Sequence, residues 1–459
     1  MKIAYVLPSR TELPVRMHRK SKAIFPPGSL IEVAGATDPE YEAVLFDELV
    51  HGPMVGERIP KADLYALSYL STARKGAYRR ADELLCETGK PVIAGGMDVT
   101  CHFLEGNQEE MLSHYSAIFL GRLTKASWRK VLADVASGNL QKVYQADSSE
   151  PWEFMLPRHD LIDSRDYFFP AAARSSAGCN EACPFCTVHA IIGERRRVMV
   201  KPPELYEQEI AILPESRFFA DTADSFGANY SHTLDILSID KNSQKEWLTE
   251  ITIKNLLGIP SKDEYREPLV ERMGQSGCAW VYIGIESIKG PIGGKSPDIR
   301  VAEEAIARIH AAGMGAAGSF MLDVTGREVR DDFRRTVDWA KKNKVDYCQF
   351  SLTALLPGSE TRRVALLNGW LTSRNPEHLD GAWPTKMHPI LSEAELIDGI
   401  NYCYRRFYSL PNIIRRVVRA PWGRKSIVAK ANAQVHLTAK GWAKVATYEH
   451  WLETRDLSG

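Results

Sequence analysis

Cys179, Cys183 and Cys186 fall within eight residues, in the run Gly178-Cys-Asn-Glu-Ala-Cys-Pro-Phe-Cys186. Three thiolates at spacing C-x-x-x-C-x-x-C can each take one corner of a 4Fe–4S cube, because a short loop can curl around a small cluster. No fourth cysteine follows nearby, so one iron would be left without a protein ligand and open to substrate. A zinc loop is the competing reading. Zinc normally takes four ligands, and His189 could supply the fourth, so counting donors leaves both open. The other cysteines, Cys86, Cys101, Cys278, Cys348 and Cys403, are scattered and read as small buried apolar residues.

Positioning such a loop needs a rigid frame, and the pattern around it supplies one. After the cysteines, helix-like and strand-like segments alternate: a helix over 204–213, strands at 218–220 and 281–285, a helix over 301–312, a strand at 319–322, a helix over 331–342 and a strand at 347–352. Alternation of this kind predicts a parallel sheet closing toward a partial (β/α) barrel, with chemistry at the strand ends. Residues 1–140 alternate in the same way, with strands at 3–7, 43–46, 64–70, 92–94 and 117–120 and helices over 73–86 and 128–135. This predicts a Rossmann-like doubly wound sheet whose ligands sit beyond the carboxyl ends of the strands. Residues 141–170, polar and holding Pro151, Pro157 and Pro170, read as a linker. The barrel unit is expected over 171–365 and a mainly helical extension over 366–459. The stretch 229–265 is mixed.

Composition sets the outer bounds. The 459 residues are 44% hydrophobic and 25% charged, with 58 basic and 58 acidic side chains. A chain of this length suggests two or three domains. The N-terminal apolar run stops at Pro8 and no stretch reaches the length of a membrane span, so no transmembrane segment is expected. Unpatterned cysteines point to a reducing, cytoplasmic setting. The region 404–430 is locally basic, with Arg405, Arg406, Arg415, Arg416, Arg419, Arg424 and Lys425, and reads as a solvated helix face in preference to an anion or membrane-surface site.

With its cysteine triad ahead of the first helix of the second α/β unit, the sequence resembles the radical S-adenosylmethionine (SAM) superfamily. Phe185 matches the aromatic residue before the third cysteine, which in that family packs on the SAM adenine. Asp221, in Phe218-Phe-Ala-Asp-Thr-Ala-Asp224, stands where the second strand helps hold the SAM amino group. Glu286, in Trp280-Val-Tyr-Ile-Gly-Ile-Glu-Ser287, stands where the fourth strand reaches the ribose. Ser319, in Gly318-Ser-Phe-Met-Leu322, and the run Leu355-Leu-Pro-Gly-Ser359 resemble later strand ends. The resemblance implies that SAM chelates the open iron and that one electron from the cluster yields methionine and a deoxyadenosyl radical. Capping or salt-bridging at strand ends is the competing role for Asp221 and Glu286.

The first unit resembles the cobalamin-binding domain fused to many radical SAM enzymes. That family's D-x-H-x-x-G loop here reads Asp47-Glu-Leu-Val-His-Gly52, with Leu49 in place of the histidine. Ser68 and Leu70 match its S-x-L, and Gly95 and Gly96 its paired glycines. Phe25-Pro-Pro-Gly-Ser29 precedes these pieces and Gly121 follows. The glycines would let backbone approach the corrin tail and Ser68 would donate a hydrogen bond to it. Leu49 removes the lower protein ligand of cobalt. The expected outcome is cobalamin bound with that face empty; ligation by His51 and loss of cobalamin binding are the alternatives.

Arg195, Arg196 and Arg197 follow the cluster loop and could meet the SAM carboxylate or an anionic substrate, with a structural ion pair as the alternative, and Trp152, Asp160 and Tyr167 in the linker could line a cavity between domains. Lys295, in Gly293-Gly-Lys-Ser296, lacks the spacing of a phosphate loop. The whole implies a cobalamin-dependent radical SAM enzyme, a C-methyltransferase acting on an unactivated carbon of a small-molecule, lipid, tetrapyrrole or natural-product substrate. A radical SAM oxidoreductase or cyclase is the alternative, and a cobalamin sensor or carrier the non-enzyme one. The expected cofactors are a 4Fe–4S cluster, SAM and cobalamin. The expected partners are a small-molecule substrate and an external one-electron reductant such as flavodoxin or ferredoxin, with no nucleic acid. No catalytic acid or base can be singled out.

Overall fold

The computed structural model describes residues 1–11, 23–147, 150–193, 197–259, 266–292, 298–420, 424–442, 444 and 446–457. Arg195, Arg196 and the Gly293–Ser296 run lie outside these. The chain divides into two compact units. One comprises Met1–Cys179, Thr187–Thr222 and Pro357–Ser359, the other Asn180–Cys186, Ala223–Leu356 and Glu360–Gly459.

In the first unit, β1 (Lys2–Leu7), β2 (Glu42–Asp47), β3 (Leu64–Ser68), β4 (Val92–Gly95), β5 (Ala117–Leu120) and β6 (Val143–Gln145) form one sheet in the order β2-β1-β3-β4-β5-β6. Every pairing in it is parallel. Its strands are nearly continuous apolar runs because both faces are covered. Ile3 and Tyr5 point to the layer that holds Leu30, Ile31, Trp128 and Leu132. Ala4 and Val6 point the other way, into Ala77, Leu84, Val99 and Met111. Helices therefore pack on both sides, as a doubly wound sheet requires. The direction of winding reverses between β1 and β3, and such a switch point opens a crevice at the strand ends. The 141–170 stretch, expected as a linker, begins with β6, whose Tyr144 pairs with Phe119. Three residues at a sheet edge leave too short a pattern to detect in sequence.

The same unit holds β7 (Ala172–Ala173), paired in parallel with the start of β10 (Phe218–Phe226), and the antiparallel pair β8 (Ser176–Gly178) and β9 (Val198–Val200).

The second unit carries β11 (Glu246–Ile251), β12 (Cys278–Glu286), β13 (Gly315–Met321) and β14 (Tyr347–Ser351), ordered β14-β13-β12-β11-β10. Strands stacked in sequence order, with helices Ile299–Ala311 and Arg330–Lys342 as crossovers, wind in one sense only. A partial (β/α) barrel has this winding. The mixed stretch 229–265 contributes helix Tyr230–Ser243, β11 and helix Ile253–Leu257. The C-terminal extension is helical and anchored on β14: Tyr408 Oη donates to Cys348 O at 2.7 Å and accepts from Cys348 N at 2.9 Å. Among the described residues, no helix is long and apolar enough to cross a membrane.

Candidate functional site

The cysteine loop leaves β8 immediately after Gly178. That glycine has φ +86°, and a Cβ on it would sit 2.2 Å from Arg197 O across the β8–β9 pair. Only glycine permits this approach, so the strand pair closes tightly beneath the loop. Within the second unit, the segment 180–186 is held from several sides. Asn180 Nδ2 donates to Asn255 Oδ1 at 3.1 Å, Glu181 pairs with Lys254 at 3.6 Å, and Thr361 N donates to Pro184 O at 2.9 Å. Cys186 N donates to Cys183 O at 3.2 Å, turning the chain between the last two thiols. Cys183 is buried, while Cys179, Cys186 and Phe185 are half-buried. None of the eight cysteines forms a disulfide.

The donor set is thus three reduced thiols on a braced loop, which fits a cluster that takes one thiolate per iron. A zinc loop would need its donors converging on one ion. Among the described residues, no three His, Cys, Asp or Glu side chains do so.

Asp221 is buried on β10. Ser175 N donates to its Oδ1 at 3.2 Å and the Tyr206 hydroxyl to its Oδ2 at 3.4 Å. Oδ1 therefore braces the chain four residues ahead of Cys179, while Oδ2 ties β10 to the helix Pro203–Ile212. Glu286 ends β12 buried and with φ +63°, a left-handed conformation that a non-glycine residue adopts only at a cost of about 1–3 kcal/mol. A register shift between Gly284 and Glu286 accompanies it, pairing Gly284 with Ser319 and Glu286 with Phe320. Strain of this kind concentrates where a side chain must be aimed. Ser319 is half-buried on β13 and hydrogen-bonds the Tyr282 phenol, whose hydroxyl also donates to Gln349 Oε1 at 2.7 Å; burial holds that phenol far above its ordinary range.

A cavity beside Glu286 is also lined by Ser287, Lys289, Met321, Glu328 and Phe333. Glu328 accepts from Thr325 N at 3.0 Å, Thr325 Oγ1 at 2.6 Å and Arg327 N at 3.1 Å. His388 Nε2 lies 3.3 Å from it. His388 Nδ1 accepts from Ile390 N and Leu391 N, so the ring proton sits on Nε2 and points at the carboxylate. Burial alone would raise the Glu328 pKa, but these hydrogen bonds, that of His388 foremost, push it down to about 2 from 4.5. A carboxylate depressed by folding stabilises the fold above its unfolded pKa, and that contribution is lost as pH falls toward the folded value. Stability should therefore fall between about pH 4.5 and pH 2, and Glu328→Gln should flatten that limb in denaturant titrations run across the range.

In the first unit the expected cobalamin residues lie at the carboxyl ends of β2, β3 and β4, with β1 between the first two. Asp47 ends β2, Ser68 ends β3, and Ser68 is the register partner of Gly95 at the end of β4. Gly96 has φ +101°, and a Cβ there would lie 2.7 Å from Ser68 Oγ, which is itself 3.3 Å from Ser29 Oγ. Two hydroxyls beside a glycine floor form a cradle that fits a polar ligand tail. Leu70 stands 68% exposed just past the strand.

The loop from Asp47 to Gly52 is a single helical turn, Glu48–His51. Asp47 Oδ1 accepts from Leu49 N at 2.8 Å as its cap, and Gly52 closes the turn at φ +74°. Tyr167 donates to Asp47 Oδ2 at 3.0 Å, and burial raises the Asp47 carboxyl despite these bonds. Leu49 is half-buried. His51 Nδ1 accepts from Asp47 N at 3.1 Å and its ring tilts against Phe46, so one imidazole nitrogen is committed within the loop. The turn is pinned from below by buried Glu48, which accepts from Ser9 N at 2.8 Å and Met54 N at 2.9 Å and pairs with buried Arg80 at 2.6 Å. Sequence reasoning did not rank Tyr167 or find Glu48 and Arg80. Asp47 and Tyr167 are 120 positions apart, and no local pattern marks such a contact.

Comparison with known proteins adds three findings. Residues 174–340 match the radical SAM superfamily. A Pyrococcus horikoshii protein described as an uncharacterized methyltransferase is 24% identical over 277 residues, covering 57% of this chain and 57% of that protein. Among solved structures, the radical SAM methyltransferase TsrM of Kitasatospora setae, with cobalamin and a 4Fe–4S cluster bound, superposes at TM-score 0.56 and 12% identity, over 79% of this chain and 75% of that one. The cobalamin-dependent radical enzyme OxsB, with aqua-cobalamin bound, superposes at TM-score 0.63 and 11% identity, over 98% and 74%. At these identities the likenesses establish a common fold.

Proposed function

We propose, from the radical SAM domain that the chain carries over residues 174–340, that the protein is a cobalamin-dependent radical SAM enzyme that transfers a methyl group to an unactivated carbon. The observation that carries the proposal is the pairing of two constellations in one chain: the reduced C-x-x-x-C-x-x-C loop closed by β8 and β9, and the Ser68–Gly95–Gly96 cradle at the carboxyl ends of β3 and β4. When bound, the cluster with SAM would supply a carbon-centred radical and cobalamin would carry the methyl group, so the hard chemistry belongs to the cofactors.

The protein's part is to hold and aim. Cys179, Cys183 and Cys186 would hold three irons of the cluster and leave the fourth open. Phe185, half-buried beside Cys186, offers a flat apolar face to the adenine of SAM. Glu286, fixed by its strained backbone, would accept from the ribose hydroxyls, and Ser319 borders the same strand ends. Asp221 acts one step back: with both oxygens engaged, it steadies the approach to Cys179. Ser68, Gly95 and Gly96 would hold the cobalamin tail, with Leu70 at the rim, and the Asp47–Gly52 turn carries Leu49 at the position the motif gives to histidine. Asp47, capped onto Leu49 N and bonded to Tyr167, keeps that turn rigid without supplying a ligand. The substrate is a small molecule, and the electron comes from an external one-electron donor such as flavodoxin or ferredoxin in the cytoplasm.

Anaerobic turnover with methyl-labelled SAM tests the reading. Label in a product together with 5′-deoxyadenosine supports it. Deoxyadenosine without methyl transfer favours an oxidoreductase or cyclase instead.

A further inference from the structure

The stretch 399–448 contains ten Lys and Arg residues and no Asp or Glu, in a chain balanced at 58 of each. The rest of the chain is therefore net acidic by the same amount. Folding does not neutralise this segment internally: Arg405, Arg406, Arg415, Lys430 and Lys440 remain exposed, while Arg416 is buried against the Phe407 ring at 4.1 Å and Arg419 is tied to Asp346 at 2.7 Å.

The sequence suggested an ordinary solvated face, and the structure departs from that in one respect. Helix Leu410–Arg419 buries Asn412, Ile413 and Arg416 but turns Leu410, Ile414 and Val418 outward, 58%, 60% and 69% exposed. At spacings of four they form a stripe along one helix face, flanked by Arg415. Leu437, in the following helix Lys425–Trp442, is a further aliphatic side chain left 69% exposed. A solvated face has no need of aliphatic side chains at helical spacing. A helix lying in a lipid interface needs both features, an apolar stripe and basic flanks.

We infer that helix Leu410–Arg419 and the basic side chains around it dock the protein on an anionic lipid bilayer, with Leu410, Ile414 and Val418 entering the headgroup–acyl boundary. Charge complementarity selects the occupant: the exposed cations Arg405, Arg406, Arg415, Lys430 and Lys440, in a stretch without an acid, suit a surface of lipid phosphates. Nucleic acid shares that charge, but aliphatic side chains offer bases neither stacking nor hydrogen bonds. The inference is independent of the reaction proposed above.

Co-flotation of the full-length, anaerobically purified protein with vesicles tests it. Vesicles of phosphatidylcholine and phosphatidylglycerol in equal parts should carry the protein, and pure phosphatidylcholine vesicles should not. Ile414→Glu with Val418→Glu, and separately Arg406→Glu with Arg415→Glu, should each weaken binding at least about tenfold. Leu367→Glu, at an aliphatic position elsewhere in the second unit that is 74% exposed, should leave it unchanged. All these sites are on the surface, so thermal unfolding followed by circular dichroism should match the wild type. Absence of binding to anionic vesicles, equal binding to both vesicle types, or binding that neither double variant weakens would overturn the inference, as would retention by nucleic acid or an acidic protein in place of vesicles.

Discussion

Cys183→Ala is expected to abolish reductive cleavage of SAM and to strip the iron from the protein. Cys183 is the middle ligand of the triad and 7% exposed. Its thiolate would have to reach its iron from inside the loop, where solvent cannot replace it. A cube held by two thiolates is left with two open irons and is lost on purification. Iron and sulfide content, together with the paramagnetic signal of the reduced protein, read the effect directly. Cys86→Ala is the control, because Cys86 is exposed on a helix of the first unit, away from the loop in sequence. It should keep iron, sulfide and SAM cleavage at wild-type levels. Equal loss in both variants would mean that the iron is not held by the triad.

Gly96→Val is expected to eliminate cobalt binding while leaving iron content intact. The backbone there sits at φ +101°, where a β-branched residue is strongly disfavoured, and the added Cβ would press on Ser68 Oγ from 2.7 Å. Either the cradle closes or Ser68 must swing away from Ser29. In both cases the polar floor offered to the ligand tail is gone. The cysteines lie outside this sheet, so the expected result is cobalt lost and iron retained. The decisive readout is the cobalt-to-iron ratio of protein reconstituted with hydroxocobalamin. An unchanged ratio would remove the first unit from the proposed chemistry.

The parts of this architecture that were legible in sequence share a physical cause. Strands buried on both faces, such as β1, β3 and β5, are continuous apolar runs, and crossover helices such as Arg330–Lys342 carry a clear helical period. Three-residue β6 carries neither, and a polar, proline-containing context hid it. The cysteine loop was legible because its function is written in spacing. Other features depend on the fold. The left-handed backbone of Glu286 follows from a bulge against β13, the occupation of Asp221 by Ser175 and Tyr206 from strand packing, and the Tyr167–Asp47 bond from a contact across 120 positions. Leu49 was legible as a departure from a motif. The structure adds where the polar groups of the turn go: Asp47 serves as its cap, and His51 turns Nδ1 back onto the Asp47 backbone.

The central claim is that one chain holds both an open-iron cluster and a cobalamin whose lower face carries no nitrogen ligand. The most direct measurement is iron, sulfide and cobalt content, together with the visible spectrum, of protein purified and reconstituted without oxygen. The account predicts about four iron, four sulfide and one cobalt per chain, with a cobalamin spectrum lacking axial nitrogen ligation. A chain that takes up iron and sulfide but no cobalt, or a spectrum showing nitrogen bound to cobalt, would contradict it.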